Sequence, residues 1–142
     1  MILSLASASG IADVELQMQA YREVETAQDD GSVLIRREPA THLHHGDRLL
    51  LTIHYRNDSD TPADRVIIEN PVPDSAVYLP GGAGGEGAEI EVSTDGGASY
   101  READGVNPAL VSHIRWVVRD VPPQAEGEVF VRLRVYKVSS QP

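Results

Sequence analysis

Gly46 to Pro73 reads G-D-R-L-L-L-T-I-H-Y-R-N-D-S-D-T-P-A-D-R-V-I-I-E-N-P-V-P. Before its centre, Leu49, Leu51, Ile53 and Tyr55 fall at alternate positions, with Leu50, Thr52, His54 and Arg56 in the opposite phase. A period of two is the spacing of side chains along one face of an extended strand. Asn57 to Pro62 carries turn chemistry, because Asn and Asp bond their own backbone and proline fixes φ. Val66 and Ile68 resume the alternation. Asn70-Pro71-Val72-Pro73 ends it, since proline has no N–H to give a ladder. The stretch is expected to form a β-hairpin with Leu49, Leu51, Ile53, Tyr55, Val66 and Ile68 turned to a core.

The same alternation recurs on both sides. Val14, Leu16, Met18 and Ala20 alternate with polar residues from Asp13 to Tyr21. Asp29-Asp30-Gly31 is a turn signal, followed by the apolar run Ser32 to Arg37, which Pro39 closes. Val77-Tyr78-Leu79 leads into P-G-G-A-G-G-E-G (Pro80 to Gly87), expected to be a loop for want of side chains. Ile90 and Val92 alternate with glutamates, and Asp95-Gly96-Gly97 turns the chain back toward Tyr100. Ile114, Trp116 and Val118 share one face, and Val129, Val131, Leu133 and Val135 another. The linker V-P-P-Q-A-E-G between them predicts a closing hairpin, with Trp116 as a core aromatic. With no helical period anywhere, the chain is expected to be all-β, an immunoglobulin-like antiparallel β-sandwich of about seven to eight strands.

The length of 142 residues suits one domain with a core of its own. A formal charge of −10 repels phosphate backbones and anionic lipid, so nucleic acid is not an expected partner. The absence of cysteine removes disulfides, zinc–thiolate sites and a cysteine nucleophile. Residues 1–12 are uncharged and contain Ala6-Ser7-Ala8, the form of a signal-processing site, so they read as the remnant of a secretion signal or a disordered leader. An extra edge strand is the alternative. The run is too short to span a bilayer. Residues 13–138 are assigned to the sandwich and 139–142 to a disordered tail, with a periplasmic or extracellular, cell-surface location.

Three groups carry the chemistry worth testing, and a ligand-binding module for a divalent metal or a carbohydrate is the alternative to an interaction role. His42, His44 and His45 with Asp47 place imidazoles two apart on an extended segment, a spacing that suits Zn²⁺, Ni²⁺ or Cu²⁺. Polar loop histidines account for them equally. Asn57, Asp58, Asp60 and Asp64 gather oxygen ligands of the kind Ca²⁺ takes, although the strict calcium-loop pattern is absent and turn formation explains the same residues. Tyr21, Phe130 and Tyr136 are outward-facing aromatics, and adjacent strands would join them into a patch for a partner or a second copy. There is no G-x-S-x-G elbow and no nucleophile set beside a base, so no enzymatic activity is expected. Self-association through an open sheet edge is compatible with the pattern.

Gly46-Asp47, Tyr55-Arg56-Asn57, Thr61-Pro62-Ala63, Val66 to Pro73, Tyr78, Ser93 to Gly97, Ile114-Arg115-Trp116 and Gly127 to Val135 follow one another in an order that resembles the conserved-repeat immunoglobulin-like domain of bacterial and archaeal surface and envelope proteins. The resemblance covers residues 13 to 137 or nearly so. It implies an exported sandwich of seven or eight strands, without catalytic residues, acting as a structural, spacer or adhesive module toward another envelope or surface protein. Where that family commonly has proline before Gly-Asp, this chain has His44-His45.

Overall fold

A computed structural model describes residues 7–9 and 13–136. Among the described residues, ten strands form two five-stranded antiparallel sheets packed face to face. In chain order they are β1 (Ser7–Ser9), β2 (Val14–Ala27), β3 (Val33–Pro39), β4 (Arg48–Asn57), β5 (Ala63–Pro71), β6 (Ala76–Gly85), β7 (Ala88–Ser93), β8 (Arg101–Glu102), β9 (His113–Val121) and β10 (Glu126–Val135). The first sheet runs β1-β5-β9-β7-β8, the second β3-β2-β4-β10-β6. The eight longer strands are those expected from the alternation, and the short edge strands β1 and β8 complete the set. β10 is an interior strand of its sheet, paired with β4 on one side and the edge strand β6 on the other.

The inward phase of each strand makes the core. Leu49, Leu51, Ile53 and Tyr55 of β4 and Val129, Val131, Leu133 and Val135 of β10 face Val66 and Ile68 of β5 and Ile114, Trp116 and Val118 of β9. Each such aliphatic side chain contributes about 1.5–3 kcal/mol by leaving water. Trp116 is fully buried, and its Nε1 donates to the Phe130 carbonyl of the opposite sheet at 3.2 Å. The ring therefore fills the core and pins the two layers together.

Two expected hairpins are not hairpins. β4 pairs with β2 and β10, while β5 pairs with β1 and β9, so Gly46 to Pro73 crosses from one sheet to the other. β9 and β10 likewise lie in different sheets. Both crossings lie at the same end and are bonded to each other: the Asn57 N–H donates to the Ala125 carbonyl at 2.9 Å and the Gln124 N–H to the Asn57 carbonyl at 2.7 Å. The Asn57 side chain, fully buried, donates to the Thr61, Val121 and Pro122 carbonyls and accepts from the Ser59 amide and hydroxyl. An arch and a hairpin share the same alternating pattern and differ only in which strand each arm takes as neighbour.

The glycine-rich segment is a strand to Gly85 rather than a loop. β6 pairs with β10 through Ala83–Gly85, with a register shift between Val131 and Leu133. A Cβ at Gly84 would stand 2.7 Å from the Phe130 ring, and one at Gly82 within 3.0 Å of Arg132 Cβ. The glycines are there because side chains of β10 lie across them.

Candidate interaction surface

β2 is longer than its pairing with β4, which ends at Glu23–Arg48, and its remainder carries β3 outward as a hairpin. The turn is built locally. Gly31 takes φ +87° and donates to the Gln28 carbonyl, Gln28 donates to the Ser32 carbonyl, and Asp30 Oδ1 accepts from the Ser32 amide and hydroxyl. This is the three-residue loop with a left-handed glycine that suits strand twist. β3 has β2 as its ladder partner on one side and is the edge of its sheet on the other. Val33, Leu34 and Ile35 are 59%, 55% and 51% exposed, three consecutive large apolar side chains in water.

The backbone of that edge is also open. In an antiparallel pair, residues alternate between those bonded to the neighbour and those whose N–H and C=O point away. The Gln28–Ser32 bond and the pairing of Leu34 with Thr26 fix the phase. Ser32, Leu34, Arg36 and Glu38 face β2, so Val33, Ile35 and Arg37 direct their N–H groups to the free side. Pro39, which lacks an N–H, ends that row.

The outer face of the same sheet adjoins the hairpin. Tyr21 and Phe130 lie on this face as expected, but β4 separates them, with Leu50 opposite Tyr21 and Thr52 opposite Phe130. Arg37 lies over the Tyr21 ring at 5.7 Å and Arg132 over Phe130 at 5.2 Å. Arg132 also holds the buried Glu23 carboxylate, with Nε 2.9 Å from Oε1. Tyr136 is elsewhere, beyond the end of β10, its hydroxyl donating to the Asp74 carbonyl at 2.7 Å and its carbonyl against the His45 ring. The three aromatics do not form a single patch.

The expected metal ligands are likewise not gathered into one site: no group of three His, Asp or Glu side chains is arranged to hold a metal ion among the described residues. Asp47 accepts from the His44 amide at 2.7 Å and stands 3.7 Å from its ring, His45 turns to Tyr136, and neither His42 nor a second carboxylate joins them. In the acidic turn, Asp58 takes the Arg56 guanidinium at 2.8 Å. Its carboxylate, near Glu15, raises the Glu15 pKa. Asp60 and Asp64 are exposed and not gathered about it.

On the outer face of the first sheet, Arg115 stacks 3.7 Å over the Tyr100 ring and bonds Glu69 at 3.0 Å, while the Tyr100 hydroxyl donates to Glu69 at 3.0 Å. Burial, reinforced by the Glu69 carboxylate, pushes the Tyr100 phenol up to about 12. Asp95 is held well below the usual carboxylate range by the Ser99 and Ser93 hydroxyls and the Ser99 amide, and so fixes the turn after β7. These polar groups serve the fold.

No known protein-family model, curated protein or solved structure matches the chain. Among the described residues no helix is long and apolar enough to cross a membrane. The residues that sequence reasoning passed over are Val33, Leu34 and Ile35. Their signal was present, three adjacent apolar residues without alternation, a run that a strand with one wet face does not need.

Proposed function

We propose that this protein is a non-catalytic, exported β-sandwich module that acts in the cell envelope or at the surface by holding another protein. The observation that carries the reading is the β2–β3 hairpin, which presents Val33, Leu34 and Ile35 to solvent beyond the sandwich. Folding gains little from apolar side chains left in water, and such a run on an open edge is a docking feature or a liability. Export is supported by the uncharged leader with Ala6-Ser7-Ala8 and by the family resemblance. Ala6 lies outside the described residues, and Ser7–Ser9 pair with β5, so processing after Ala8 would shorten that edge. The non-catalytic reading is supported by the polar clusters, in which Glu23, Glu69, Asp58 and Asp95 each serve an ion pair or a turn.

The test is a photo-cross-linking residue placed at Ile35 in the full-length protein, expressed in its own organism, with Leu110, 60% exposed, as the control position. The expected result is a discrete cross-linked product from position 35 alone, in the envelope or extracellular fraction. Retention of the uncross-linked chain in the cytoplasm would contradict both halves.

A further inference from the structure

The two sheets have four edges, and they are not equivalent. β1 has three residues and β8 two. β6 contains Pro80 and breaks register against β10. Natural edges are blunted by such shortness, prolines and irregularities. β3 is seven residues long, and from Val33 to Arg37 nothing interrupts its free donors and acceptors.

The order of residues along this edge is self-complementary. Asp29 and Asp30 precede Val33-Leu34-Ile35, and Arg36 and Arg37 follow it. Acid, apolar and base in one direction meet base, apolar and acid in the other, so an antiparallel copy of the same segment matches it in charge and hydrophobicity. This matters in a chain of charge −10, where two copies repel at long range and need a local attraction to meet. Arg36 is available for it, with a side chain 56% exposed and bonded only along its own strand, to Glu38 at 2.9 Å.

We propose that the occupant of the β3 edge is β3 of a second copy of this chain, antiparallel about a two-fold axis at Leu34. The proposal rests on the interaction reading above and names its partner. In this register Val33 faces Ile35 of the second copy and exchanges both backbone hydrogen bonds with it, because these residues direct their N–H and C=O groups outward. Leu34 meets Leu34 across the axis in the closer, non-hydrogen-bonded type of pair. Arg36 and Arg37 of each copy stand opposite Ser32 and Gly31 of the other, next to its Asp29-Asp30 turn, while Glu38, which falls opposite Asp30, is already held by Arg22 and Arg36 of its own chain. The two five-stranded sheets become one continuous sheet of ten strands. A two-fold contact uses the single edge of each copy and stops at a dimer.

Sedimentation velocity on the purified full chain, at rising concentration and physiological salt, is expected to show the mass double. Leu34→Asp and Ile35→Pro, the second removing an outward N–H, are expected to leave it at the monomer, with the melting temperature that the wild type shows in dilute solution. The chain has no cysteine, so Leu34→Cys gives a clean trap: mild oxidation is expected to yield several-fold more covalent dimer than Leu110→Cys. Monomer at every concentration together with equal trapping at the two positions would overturn the self-pairing. Position 35 of that monomer cross-linking to a different protein in the native envelope would overturn the second copy as partner while the interaction reading stood; no product at all would remove both.

Discussion

The Asn57 carboxamide donates to the Val121 carbonyl at 3.1 Å, tying the arch that leaves β4 to the arch that leaves β9. Through this bond and those to Thr61 and Pro122, one buried side chain satisfies the backbone of both crossings between the sheets. Asn57→Ala leaves those carbonyls without a donor, at about 1–3 kcal/mol for each that water does not reach. The expected result is a loss of about 3 kcal/mol in denaturant unfolding, within the range of a broken buried network. Asn57→Asp keeps the acceptor for Ser59 but no donor, and is expected to be no better.

Gly84 and Phe130 form a second coupled pair. An added Cβ at Gly84 meets the ring at 2.7 Å, so Gly84→Ala is expected to cost about 1–3 kcal/mol by overpacking. In a Phe130→Leu background the same substitution should cost far less. The coupling, read from a double-mutant cycle of chemical denaturations, separates ring contact from the general effect of replacing glycine.

Tyr100 sets an alkaline limit. Its folded pKa is raised from 10.0 to about 12, so its contribution is complete below pH 10 and is lost as the pH rises toward 12. Thermal melts across that window should fall for the wild type and fall less for Tyr100→Phe, which cannot ionise. Burial raises Tyr55 and Tyr78 as well, so the phenolate absorbance of the native chain should show several tyrosines titrating late, and Tyr100→Phe should remove the component that Glu69 helps to delay.

Core and edge respond oppositely to truncation. Leu51 is fully buried, and Leu51→Ala should lose about 2–5 kcal/mol. Leu34→Ser, at a side chain 55% exposed, should change monomer stability by no more than about 0.5 kcal/mol. Thermal unfolding of both variants in dilute solution checks the contrast.

The strands were legible because a half-buried strand writes its two faces into alternate positions, and Val14 to Ala20, Leu49 to Tyr55 and Val129 to Val135 did so. Partner choice was not legible. Nothing between Asn57 and Pro62 distinguishes an arch from a hairpin, since the deciding bonds run to Val121, Pro122 and Ala125, more than sixty residues away. The glycines of β6 looked like a loop because the ring that fills their space belongs to β10. Periodicity placed Tyr21 and Phe130 on an outward face but not β4 between them. Val33 to Ile35 stood out only as an apolar run, and its exposure follows from β3 being an edge, a property of the assembled sheet.

Amide hydrogen exchange along β3, followed as protein concentration rises, shows whether this edge pairs with a second copy. With self-pairing, Val33 and Ile35 exchange fast in dilute solution and become protected as concentration rises, while Leu34, already bonded to β2, is protected throughout. Fast exchange at Val33 and Ile35 at every concentration would contradict it.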